Sequence, residues 1–186
     1  FIHQEYGVRQ LLVEHTHFND PEKREHIRRL LIRAAQQKTI PIVNYNDPVS
    51  DEENRKMELA IRRSHGDQVV ECVDNDETAA GIANLVHAKK LVLMTSTEGI
   101  YRDPADPKTL VEQVTAKSME ELEEKVRQLQ ESCVGASRAG ANGAKAKLEY
   151  ALKSARQGTM VIIGHARHRL SDLVEGRVAC TRIGLE

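Results

Sequence analysis

The chain is poor in the features that would assign it to several large functional classes. It has only three cysteines, Cys72, Cys133 and Cys180, in 186 residues. Their positions match no metal-binding spacing, and an odd number cannot close into a full set of intramolecular disulfides, so a reducing, cytoplasmic setting is expected. Net charge is also lacking. A formal value of −1 supplies no general electrostatic pull toward nucleic acid or an anionic membrane surface, and neither is expected as a partner. Long hydrophobic runs are missing as well: the longest are about half of the roughly 20 residues that a membrane helix needs. Phe1-Ile-His-Gln-Glu-Tyr6 lacks the basic-then-apolar layout of a signal peptide. There is no internal repeat and no Walker phosphate loop.

What is present is an ordinary globular composition, 40% hydrophobic and 30% charged, enough for one sizeable core and by default one domain. Leu11-Leu-Val13 lies in a strand expected over Val8–Glu14. Asn19-Asp-Pro-Glu22 carries a capping side chain, a first-turn proline and an early carboxylate. It should open a helix running to about Gln37, with Ile27, Leu30, Leu31 and Ala34 on one face. A strand over Ile40–Val43 follows. The charged stretch 48–67 reads as an exposed hairpin or short helix, 68–73 as a strand and Asn75–Lys89 as a helix. Lys90–Thr95 is another strand, rich in aliphatic and β-branched residues. Asp103-Pro-Ala-Asp-Pro107 breaks the chain. Ser118 opens an amphipathic helix, 135–143 forms a small-residue loop, and Ala144–Gln157 is helical. Thr159–Ile163 is a strand, and a small helix and strand close the chain around 170–181. Such alternation specifies an α/β fold, a three-layer α/β/α arrangement of a mainly parallel sheet with helices on both faces.

Polar clusters follow or flank the apolar runs, which is how an open α/β sheet builds a ligand crevice at the carboxyl ends of its strands. Asn44, Asn46 and Asp47 come after one strand, and Asp74, Asn75 and Asp76 open a helix. They suit an amino acid ligand, although Asp and Asn at a helix start also serve simply as caps. Thr95-Ser-Thr-Glu-Gly99 offers hydroxyls and backbone to a nucleotide, or forms a turn with glycine in a left-handed conformation. Gly135-Ala-Ser-Arg-Ala-Gly140-Ala-Asn-Gly143-Ala-Lys145-Ala-Lys147 leads into a helix and could approach phosphate; it could equally be a solvated connection. His15-Thr-His17 and His165-Ala-Arg-His168 lack acidic or cysteine companions at a metal-binding spacing. They are expected to be surface or internally satisfied histidines, and no protein-bound metal is predicted.

Taken in order, these segments resemble the amino acid kinase family, and within it the branch that phosphorylates the γ-carboxylate of glutamate for proline synthesis. Ile40-Pro-Ile-Val-Asn-Tyr-Asn-Asp47 is similar to a family strand ending in Asn-Glu-Asn-Asp. Asp74-Asn-Asp76 with Thr78-Ala-Ala80 resembles the family's Asp-Asn-Asp helix opening. Leu91 to Tyr101 resembles its Leu-Leu-Thr-Asp-x-x-Gly-Leu-Tyr segment, and Gly140 to Lys147 its Gly-Thr-Gly-Gly-Met-x-x-Lys loop. The resemblance implies that residues 1–186 are the C-terminal portion of an amino acid kinase domain, including its nucleotide-binding half, with ATP and Mg²⁺ as cofactors. It implies that Asn44, Asp47 and Asn75 bind the amino acid, and that Thr95, Ser96, Gly99 and Tyr101 line the nucleotide site. Gly140, Ala141, Asn142, Gly143, Ala144, Lys145, Ala146 and Lys147 would surround its phosphates. Asp76 would hold the catalytic lysines, and Lys147 would neutralise the transferring phosphoryl group. A homo-oligomer is implied in the same way.

The chain departs from the family pattern in four places. The glycine-rich loop and lysine that open the family domain have no counterpart before Phe1, so an N-terminal segment is expected to precede it. Tyr45 stands where the family has Glu, and Ser96 where it has Asp. The connection between Asp47 and Asp74 is longer and more charged than usual. Two alternatives therefore stay open: a non-catalytic nucleotide- or amino-acid-binding module of the same fold, or a kinase acting on another small acceptor.

Overall fold

The computed structural model describes residues 5–45, 75–103, 105–132 and 143–186. The charged stretch 48–67, the strand expected over 68–73, Asp47, Asp74 and the loop residues Gly140, Ala141 and Asn142 lie outside them. The chain divides into two compact units, Phe1–Val86 and His87–Glu186.

The N-terminal unit is a strand–helix–strand element. Strand β1 (Gly7–Val13) pairs in parallel with β2 (Thr39–Tyr45), with Leu11 opposite Val43. Between them run a single turn, α1 (Thr16–Asn19), and the longer α2 (Pro21–Gln36). The helix starts where its capping residues demand. The Asp20 carboxylate accepts the Glu22 and Lys23 backbone N–H groups at 2.9 and 3.0 Å, and Pro21 occupies the first helical position, where no N–H is needed. Ile27, Leu31 and Ala34 are buried as the periodicity requires. They join Val13 and Phe18, with Ile82 and Leu85 of α3 (Asn75–Leu85) packed against the same cluster. Helix α3 stops four residues short of the expected Lys89. His87 takes a left-handed φ of 51°, a conformation that ends a helix and frees the chain to enter the next strand.

The C-terminal unit holds a four-stranded sheet built from β3 (Lys90–Thr95), β4 (Gln113–Ala116), β5 (Met160–His165) and β6 (Cys180–Leu185), in the order β3-β5-β6-β4. β3 pairs with β5 and β4 with β6 in parallel, while β5 and β6 are antiparallel. β4 was not foreseen: four residues following a proline-rich break carry too little periodicity to announce a strand. Three helices cover the sheet, α4 (Met119–Ser132), α5 (Gly143–Ala155) and α6 (Leu170–Glu175). Ile162 packs with Leu173 of α6. Gly164 lies on that same face, where a side chain would collide with Leu173. Val161 and Ile163 alternate to the opposite face, toward α4 and α5, which pack on β4, β5 and β6. All three central residues of β5, Val161, Ile162 and Ile163, are completely buried. Each is expected to stabilise the fold by about 1.5–3 kcal/mol relative to an exposed position. Among the described residues, no helix is long and apolar enough to cross a membrane.

Candidate functional site

Parallel neighbours end side by side. Thr95 and His165 are register partners at the carboxyl ends of β3 and β5, so the segments leaving these strands share one rim of the sheet, where α/β folds bind their ligands. The first of these segments is ordered by its own side chains. Thr95 Oγ1 accepts the Thr97 N–H at 2.9 Å and lies 3.0 Å from Thr97 Oγ1, whose hydroxyl donates to the Gly99 carbonyl at 3.1 Å. The next link reaches across the sheet. Buried Thr181 on β6 accepts the Ile100 N–H at 2.8 Å and donates its own proton to the Val111 carbonyl at 2.6 Å. Tyr101 then forms an antiparallel bridge with Leu110.

Gly99 is needed here for a different reason from the left-handed turn considered above, because its φ is not positive. A Cβ on Gly99 would lie 2.4 Å from Thr181 Oγ1 and 2.9 Å from the Thr181 backbone nitrogen. Close approach to β6 is what excludes a side chain.

The second segment, after β5, is tied to the first. Ala166 N–H donates to the Thr95 carbonyl at 2.8 Å, and Arg167 N–H to His165 Nδ1 at 3.0 Å. Glu98 joins the two. One of its carboxylate oxygens meets the Arg167 guanidinium and the other lies 2.6 Å from His168 Nε2. His165 and His168 stand edge to face, 6.3 Å apart, and both find partners within the protein. The sequence singled out these histidines, and Glu98 only as a member of the 95–99 segment. What it did not carry was their convergence, because they are some 70 positions apart and are brought together only by the β3–β5 pairing.

The remaining candidates are distributed as follows. Ser96 is exposed and Tyr101 half-buried. A connection of four residues, 156–159, turns the chain from α5 into β5. Because α5 packs on β5 and β6, it must run back along the strands, which puts its N-terminus at the rim where β3 and β5 finish. Gly143 begins this helix with a φ of 56°, and half-buried Ala144 and Ala146 alternate with Lys145 and Lys147. The two lysines do not share a face, since residues two apart on a helix are separated by about 200°. Lys145 is exposed and lines a groove of about 600 Å³ between α4 and α5 with Arg127, Gln130, Glu131, Glu149 and Tyr150. Half-buried Lys147 is turned away from that groove.

In the N-terminal unit, Asn44 is exposed near the carboxyl end of β2. Asn75 and Asp76 are the first two residues of α3, exposed and half-buried respectively, with Glu77 beside them. Carboxylates there complement the positive end of the helix dipole.

The signature of the amino acid kinase family matches residues 3–165. The chain belongs to the amino acid kinase family. It is 30% identical over 183 residues to a glutamate 5-kinase of Geobacillus kaustophilus, covering 97% of this chain and 43% of that protein. Similarity to a glutamate 5-kinase of Chromobacterium violaceum is 28% over 96% of this chain and 44% of the relative. For one from Shewanella woodyi it is 30% over 91% and 41%. The chain thus spans less than half the length of the curated relatives it matches. A solved UMP kinase from Ureaplasma parvum aligns over 97% of both chains at 11% identity, with a TM-score of 0.36, too faint a likeness to bear on the fold. Family membership agrees with the mixed α/β architecture described above.

Proposed function

We propose that this chain is part of an ATP-dependent kinase that phosphorylates the γ-carboxylate of L-glutamate, giving an acyl phosphate that enters proline biosynthesis. The observation that carries this reading is its collinear similarity, over nearly all of its length, to glutamate 5-kinases. The rim at the ends of β3 and β5 supports it with a chemically suitable set of groups: threonine hydroxyls, backbone amides, and the start of a lysine-bearing helix.

In this reading Thr95 and Ser96 contact the nucleotide, and Gly99 and Tyr101 hold their segment in place. Residues 140–147 receive the phosphates. Asn44, Asp47 and Asn75 bind the amino acid, Asp76 holds the catalytic lysines, and Lys147 neutralises charge on the transferring phosphoryl group. Mg²⁺ would arrive with the nucleotide, bound to phosphate oxygens and water. A γ-carboxylate oxygen attacks the γ-phosphorus, a new P–O bond forms, and the bond to the β,γ-bridging oxygen breaks to release ADP. The nucleophile is already deprotonated at neutral pH, so no general base is required. Catalysis rests on alignment and on neutralising charge at the phosphoryl oxygens, which is the role of Lys147. The cytoplasmic location and homo-oligomer expected above belong to the same reading.

The test is ATP consumption by the full-length gene product with Mg²⁺ and L-glutamate, using hydroxylamine to trap the acyl phosphate as a hydroxamate. Glutamate-dependent hydroxamate is expected, and Lys147→Ala should lower its rate by about 10²–10³-fold, as loss of a charge-stabilising group does. ATP turnover only with another acceptor would overturn the substrate. Nucleotide binding without turnover of any acceptor would instead favour a regulatory module.

A further inference from the structure

Glu98 occupies a position that its sequence neighbours do not explain. Its side chain is only 17% exposed, and the two groups that satisfy it, Arg167 and His168, come from a different segment of the chain. An ion pair lying on an open surface contributes little. This carboxylate is mostly withdrawn from water and accepts two donors at once, one on each oxygen. Arg167 itself is 63% exposed and screened on its outer side, but losing either partner leaves the largely covered Glu98 carboxylate less well compensated. The cluster adds a side-chain clamp to the single backbone bond from Ala166 to Thr95. It acts on the segment Thr95–Gly99, whose Thr95 and Ser96 are the proposed nucleotide contacts.

We propose that Glu98 is a positioning residue for nucleotide binding: held by Arg167 and His168, it fixes the Thr95–Gly99 segment against the β5–α6 connection, so that Thr95 and Ser96 meet the nucleotide in a preformed geometry. This rests on the kinase reading above. Arg167 is the stronger of the two partners because its planar fork is always charged, whereas a lysine in its place would keep the charge but lose the fixed geometry. The clamp is directed at ATP and not at the phosphoryl acceptor, because every residue it orders belongs to the rim of β3 and β5.

The experiment compares wild-type full-length protein with Glu98→Gln, Arg167→Ala, Arg167→Lys and the Glu98→Gln/Arg167→Ala double variant. Affinity for a fluorescent ATP analogue is measured directly, with KM for ATP, KM for the acceptor and the thermal midpoint alongside. Glu98→Gln and Arg167→Ala should each weaken nucleotide binding by about tenfold, within the range over which residues in contact couple. The acceptor KM should be unchanged, Arg167→Lys intermediate, and the double variant little worse than the weaker single, since both remove the same clamp. Unchanged nucleotide affinity in the single variants would overturn the positioning role while leaving the kinase reading intact. Parallel losses in both KM values together with a large drop in thermal midpoint would also overturn it, in favour of a purely structural pair. Failure of the wild type to bind the analogue would defeat the kinase reading, and this inference with it.

Discussion

Strands β2 and β5 are written in nearly the same alphabet and meet different fates. Ile40-Pro-Ile-Val43 and Val161-Ile-Ile163 are both short aliphatic runs followed by small or polar residues, yet Ile42 is 51% exposed and Ile163 is fully buried. The difference lies in the neighbours. β5 has β3 on one side, β6 on the other and helices over both faces, whereas among the described residues β1 and β2 form a two-stranded ribbon with α2 and α3 packed against it. An aliphatic run therefore specifies a strand; how much its side chains stabilise the protein is decided by what covers them.

The sharpest way to break this comparison is to make the same change in both strands. Ile163→Ala should cost about 2–5 kcal/mol, the range for emptying a fully packed site. Ile42→Ala should stay near the roughly 0.5 kcal/mol typical of surface changes. Denaturant unfolding with probes in each unit measures both, and similar losses at the two sites would refute the contrast. Gly99→Ala comes next. The added methyl meets Thr181 Oγ1 and its backbone nitrogen, so a destabilisation of about 1–3 kcal/mol is expected from overpacking. Hydrogen exchange at the Ile100 amide should accelerate with it, and an unaltered exchange rate would show that the rim adapts without losing its tether. A smaller effect belongs to the N-terminal unit: Asp20→Ala removes the cap of α2 and should cost about 1 kcal/mol, while Asp20→Asn should retain most of that stability.

The smallest effect is electrostatic. Hydrogen bonds from Arg28, and secondarily Arg29, hold the Glu25 carboxyl down to about 2. A folded-state value below the unfolded one means that the stabilisation is fully present above about pH 4.5 and disappears as pH falls through about 2. The group is solvent-exposed, so screening keeps its contribution slight. In an NMR titration Glu25 should have a midpoint well below the ordinary carboxylate range at low salt and move back toward it in 1 M salt or in Arg28→Gln. A midpoint in the ordinary range at low salt would dissolve the pair as an electrostatic feature.

Much of the fold was legible because its signals are local. The Asp20-Pro21 start of α2, its apolar face at Ile27, Leu31 and Ala34, and the strand Lys90–Thr95 all lie where their residues placed them. Local signals failed where structure depends on a distant partner. β4 is a strand because β6 pairs with it, and α3 ends early through the left-handed turn at His87. In the candidate site the polar, glycine-containing character of 95–99 at the end of β3 was readable, and its contact with a nucleotide belongs to the proposed reading. The reason for Gly99 was not readable, because the group that excludes a side chain there is Thr181, some 80 positions away.

By itself, then, the sequence determined the α/β class, the amino acid kinase family, and the order of the helices and strands that carry the candidate residues. Those properties follow from capping, periodicity and motif order, which act over a few residues or along the chain. Tertiary structure alone decided that β5 is central, that Ile42 of β2 is left half exposed, and that Glu98 joins Arg167 and His168. Each depends on strand pairing or helix packing, which set distances between residues that the linear chain leaves far apart.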